Sequence, residues 1–167
     1  MFRVNDTVMY GSAGVCTIVD IRTEKFTKNE ELYYILKPVY HEKSTIYCPV
    51  DNEKIKIRKL LSLKEVHELI RVMPDTELGW IDNDQQRRET FTKILRDGDH
   101  RSLIKLIKSI YFNREERQKA GKRSHAADEK IMKEAESILY EELAHVLNIK
   151  PDEVVPFIVG AVDTEEG

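Results

Sequence analysis

The chain has 167 residues and a formal net charge of −3, and it is 41% hydrophobic and 34% charged. That is enough apolar material for one large domain or two small ones. No apolar run reaches the roughly 18 residues of a membrane span and no long apolar leader follows Met1, so a cytoplasmic protein with no membrane partner is expected.

Residues 1–60 read as β structure. Thr7, Val8, Met9 and Tyr10 form a short run ending at Gly11, and Gly14 opens a β-branched stretch through Ile21. Residues 25–31 are polar and read as a hairpin loop. Residues 32–37 are a third strand stopped by Pro38. Residues 44–50 are a fourth, where Pro49 argues for an edge position. Asp51 and Asn52 turn the chain, and residues 55–58 alternate apolar and charged like a fifth strand. Short strands at this density predict a small antiparallel barrel or curled sheet.

At Ser62 the period changes to helical. Ser62 with Glu65 fits a capping box, and a first helix runs to about Met73, before Pro74. A connector carries Trp80, the only tryptophan. A second helix covers about 82–96, with Phe91, Ile94 and Leu95 on one face. Gly98 can close it and Asp99 can cap a third helix, which runs to about Phe112 and buries Leu103, Ile104, Ile107 and Tyr111. Residues 114–123 read as a charged connector. Ser124 caps a fourth helix carrying Ile131, Ala135, Ile138, Leu139 and Val146 inward, and a last helix begins near Pro151. The expected class is therefore α+β, with a β module at 1–60 and a compact all-α module at 61–167.

Charge is segregated along the helical part. Residues 86–133 hold 14 Lys and Arg against 7 Asp and Glu, whereas residues 134–167 hold one Lys against nine acids. Arg101, Lys105 and Lys108 fall at i, i+4 and i+7, on one helix face. Arg87 and Arg88 follow Trp80, and Lys122 and Arg123 precede the fourth helix. Cations beside a large aromatic fit a nucleic-acid surface. An ordinary solvated helix surface fits the spacing equally well, and Trp80 could equally be a packing residue at the start of a helix. The mildly acidic total argues against a stand-alone, non-specific DNA binder.

Catalysis finds no support. The chain has no GxSxG, P-loop or GxGxxG motif, and its carboxylates read as solvated. The two cysteines, Cys16 and Cys48, lie in strand-like runs and read as small buried hydrophobes rather than a disulfide or a CxxC pair. The five histidines show no HxxxH or HExxH spacing, so neither a metal nor another cofactor is expected. The edge strand near Pro49 could bind a partner by strand addition.

Several short motifs, taken in order, resemble the CarD/CdnL family of bacterial transcription regulators. They are residues 5–11 (NDTVMYG), Gly14 with Val15, residues 33–37 (YYILK) and residues 47–52 (YCPVDN). The same module is similar to the RNA polymerase-interaction domain of the transcription-repair coupling factor. Trp80, Arg87, Arg88, Phe91, Leu95, Gly98, Asp99, Gly121, Lys122, Ser124, Asp128, Ala135 and Tyr140 extend the resemblance through the helices.

The resemblance implies a Tudor-like β domain on the polymerase β subunit, contacting it through Arg22, Lys25 and Tyr47. It also implies a helical domain at promoter DNA on the upstream edge of the bubble. There Trp80 would be a minor-groove wedge, with Arg87 and Arg88 as phosphate contacts; Arg101, Lys105, Lys108, Lys122 and Arg123 join this expected DNA-facing set on their spacing and charge alone. The protein would be a monomeric, nucleoid-associated regulator that stabilises the open complex without reading sequence. The alternative is a protein–protein adaptor that makes no DNA contact.

Overall fold

The computed structural model describes residues 1–41, 43–51, 57–75 and 78–166. The turn expected at Asn52 and the Ile55 and Lys56 positions of the expected fifth strand lie outside these residues. Strands β1 (Thr7–Tyr10), β2 (Gly14–Glu24), β3 (Glu31–Pro38), β4 (Ile46–Pro49) and β5 (Ile57–Lys59) form one antiparallel sheet in the order β4-β3-β2-β1-β5. Pro49 closes β4 at an edge of the sheet, where its missing N–H costs no ladder bond. A bulge at Val19 shifts the β2–β3 register between Ile18 and Asp20 and bends the long β2 strand.

Strand alternation feeds two cores. Val8, Tyr10, Cys16, Ile18, Tyr34, Leu36 and Cys48 cluster on one face. Met9 and its cross-strand partner Val15 point the other way and join the helical core. Both cysteines are buried, as their apolar strand setting predicts.

Five helices follow: α1 (Leu63–Val72), α2 (Asp84–Asp97), α3 (His100–Lys119), α4 (Ala126–Leu147) and α5 (Val154–Glu166). The Ser62–Glu65 capping box forms in both directions. Gly98 closes α2 in the left-handed conformation at φ 66°, and the Asp99 carboxylate caps Ser102 N to start α3. Phe91, Leu103, Leu106, Leu139 and Leu143 make the centre of the helical core. Among the described residues, no helix is long and apolar enough to cross a membrane.

The helices depart from the sequence pattern in three places. Residues 114–119 continue α3 instead of forming a connector. They are good helix formers, and Arg114 Nη1 meets Glu129 Oε2 on α4 at 3.2 Å. The buried stripe of α3 runs through Leu103, Leu106 and Ile110, which leaves Tyr111 42% exposed. His125, not Ser124, holds the N-cap of α4, with no side-chain cap bond.

Candidate nucleic-acid and polymerase interfaces

Trp80 stands in the irregular segment before α2, half-buried and packed on the helical core. Beneath it lies Arg87, one turn into α2 and only 3% exposed. The guanidinium carbon is 4.6 Å from the Trp80 ring centroid. Nη1 donates to the carbonyls of Ile81 (3.0 Å) and Asp82 (3.4 Å). Nη2 donates to Asp84 Oδ1 at 2.8 Å and Nε to Asp128 Oδ1 at 3.2 Å.

Arg87 therefore does not reach outward as the phosphate contact the resemblance implies. Its donors are spent inside the protein, folding the connector around a buried cation. Burial works against the charge, but the bonds to Asp128 and Asp84 outweigh it and hold the Arg87 pKa above its ordinary value. The same pairing holds the Asp84 carboxyl below its usual range. Asp128 is itself 3% exposed and sits in the first turn of α4, where the helix dipole favours a carboxylate.

The remaining cations divide by location. Arg88 is exposed on α2, and Lys122 and Arg123 are exposed just before α4. The Arg87–Asp128 bond brings the starts of α2 and α4 together, and the Asp84 carboxyl senses both Arg88 and His125. Trp80, Arg88, Lys122 and Arg123 thus belong to one end of the helical part.

The α3 face is different. Lys108 Nζ donates to the carbonyls of Met73 and Pro74, closing the chain where α1 ends. Arg101 lines a surface hollow with Lys64, Glu65, Glu68 and Asp99, and its charge helps to hold the Glu68 and Asp99 carboxyls below their usual range. Lys105, one turn after Arg101 on α3, is half-buried. The regular spacing of these three cations does not make a free basic stripe.

On the sheet, Arg22 and Tyr47 come together. Arg22 Nη2 lies 3.5 Å from the Tyr47 hydroxyl, and its Nε and Nη1 are held by Glu24 (2.6 Å) and Asp20 (3.3 Å). Phe26, 60% exposed, sets its ring edge-to-face against Tyr47 and Tyr33 at 5.1 and 5.2 Å. Lys25 is exposed beside them in the loop after β2. This aromatic cluster borders the edge strand β4. Residues 2–61 match the family described as CarD-like/TRCF RID domain. The sheet is thus similar to a CarD-like RNA polymerase-interaction domain, called the RID domain below. No curated protein matches the chain.

The RID domain is joined to the helices through α4. Glu142, 1% exposed, accepts from Arg58 Nη1 and Nη2 (3.0 and 2.8 Å) and from Leu61 N (2.9 Å), and its Oε1 lies 2.7 Å from His100 Nε2. Burial alone would raise its pKa. The bonds to His100 and Arg58 overcome this and bring it down to about 2. The neighbouring Glu141 meets His41 at 3.0 Å on the loop after β3. It also approaches Gly14, where a β-carbon would stand 3.0 Å from Glu141 Oε2 and φ is +78°.

Sequence reasoning missed Glu142, Asp128, Asp84 and Phe26 as working parts of these surfaces. The partners of Glu142 lie up to 84 positions away, and Asp128 is 41 from Arg87, so no short motif links them. Only the helical period of α2 marked a signal, since it puts Arg87 on the face of Phe91.

Proposed function

We propose that this protein is a bacterial transcription regulator that docks on the RNA polymerase β subunit and stabilises the open promoter complex. The observation that carries the reading is the RID match over residues 2–61. In this reading residues 1–60 are a Tudor-like docking module, and the surface of Arg22, Lys25, Phe26 and Tyr47 beside the β4 edge faces polymerase. Residues 61–167 form the DNA-facing module. Trp80 wedges at the upstream edge of the bubble, with Arg88, Lys122 and Arg123 against the backbone.

A slightly acidic monomer can hold DNA this way because docking supplies the local concentration. Tethering to a polymerase already on the promoter gives an effective concentration on the order of mM. A few phosphate contacts and a ring in the groove then suffice, with little base preference. The working place is the bacterial cytoplasm, on the nucleoid.

The test is Trp80→Ala. The variant should bind polymerase like the parent and shorten the open-complex lifetime on several promoters. An unchanged lifetime removes the wedge. The adaptor reading has one observation in its favour, the exposed Phe112, Val155 and Val159 on the helices. It predicts no gain in promoter affinity when polymerase is present.

A further inference from the structure

Trp80 would be a poor wedge if it were free to swing. It follows Gly79, a position with open space around it, and lies outside regular secondary structure. Beyond its packing on the helical core, what fixes the ring's face is the side chain of Arg87. A desolvated guanidinium under an indole face is among the stronger cation–π arrangements. This one also grips the carbonyls of the two residues after Trp80, so ring and backbone are fixed by one group.

The anchor behind Arg87 is as specific as the stack. Asp128 gives one oxygen to Arg87 Nε, and its other oxygen is buried without a hydrogen-bond partner among the described residues. A buried carboxylate with an unmet oxygen costs stability. Its place at the base of Arg87 is accounted for by the orientation it imposes on that guanidinium.

We propose that Arg87 is the positioning residue of Trp80: it fixes the ring's orientation toward DNA and touches no DNA itself. This rests on the wedge reading. Lysine cannot replace it, because a point charge on a flexible stem cannot stack flat and reach two carbonyls and two carboxylates at once.

Because Trp80 is the only tryptophan beside seven tyrosines, fluorescence excited at the red edge, where tyrosine does not absorb, reports on this ring alone. The experiment compares the parent with Arg87→Lys, Asp128→Asn and Trp80→Ala. It reads emission maximum, steady-state anisotropy and acrylamide quenching of free protein, then open-complex lifetime with polymerase. Arg87→Lys keeps the charge, yet should red-shift the emission, lower the anisotropy and shorten the lifetime by about threefold or more. Asp128→Asn should move both readouts in the same direction by less. If Arg87→Lys does not fold, Asp128→Asn decides alone.

Parent-like fluorescence in the folded variants overturns the proposal. So does altered fluorescence with an unchanged lifetime while Trp80→Ala shortens it. Weaker, less salt-sensitive DNA binding with unchanged fluorescence would make Arg87 a phosphate contact and overturn it as well. An unchanged lifetime for Trp80→Ala sinks the wedge reading instead, and the fluorescence still decides whether Arg87 orients the ring.

Discussion

Glu142→Gln tests how firmly the RID domain is fastened to the helices. The carboxylate is 1% exposed and its pKa stands at about 2, against an ordinary 4.5. A shift of that size corresponds to about 3 kcal/mol of stability from the ionised form. Because the folded pKa is depressed, this stability is fully present above about pH 4.5. It is lost as pH falls from there toward 2. The glutamine keeps one acceptor oxygen but cannot serve Arg58, Leu61 N and His100 together. Removing one partner of a buried pair typically costs about 3–5 kcal/mol, so a loss of roughly 2–4 kcal/mol is expected with an acceptor retained. For a chain of this size that lowers Tm by roughly 5–15 °C.

The assay is urea unfolding at pH 7 and in steps down to pH 3, followed by Trp80 fluorescence for the helices and far-UV circular dichroism for the whole. The parent should lose stability below pH 4.5. The variant should start lower and show a shallower acid loss. Equal midpoints at pH 7, or parallel acid profiles, would refute the reasoning that this carboxylate is ionised and binding at the seam.

Other outcomes can be checked as directly. Charge reversal at Arg88, Lys122 and Arg123 together should weaken promoter affinity on all sequences. It should flatten the log-affinity against log-salt slope by about 3, one for each phosphate that these side chains neutralise. Phe26→Ala with Tyr47→Ala should reduce polymerase binding in a pull-down or calorimetric titration while leaving Tm within a few degrees, because both rings are exposed. Ser62→Ala removes one half of the α1 capping box and should cost about 1 kcal/mol in chemical unfolding.

Much of the architecture could be read directly from local chemistry. Alternation marked the strands, Pro49 marked an edge, Ser62 with Glu65 marked a helix start, and Gly98 with Asp99 marked a stop and restart. Each is a signal carried by adjacent residues. The end of α3 was not legible, because residues 114–119 are charged on every side and their helix is supported from α4 by Glu129. The cations divided for the same reason. Spacing placed Arg101, Lys105 and Lys108 on one face, but the carbonyls of Met73 and Pro74 and the carboxylates of α1 that occupy that face arrive from elsewhere in the chain. The period of α2 puts Arg87 on the face of Phe91, but its partner Asp128 lies 41 positions away and leaves no local mark. Pairings across tens of residues leave no local trace, and those pairings decide which charges are free.

Helix α4 holds Asp128 near its start and Glu142 near its end, the first supporting Arg87 and the second clasping Arg58 of the RID domain. At 1.5 Å per residue the two are about 21 Å apart along the axis, close to four whole turns, so they face nearly the same side. The helix therefore acts as a ruler with a fixed phase. Adding or deleting a single residue between them would change the length by only about 1.5 Å but rotate one end by about 100°. The number of residues in this stretch is therefore constrained by the phase of its two ends, independently of the buried side chains that it carries into the core.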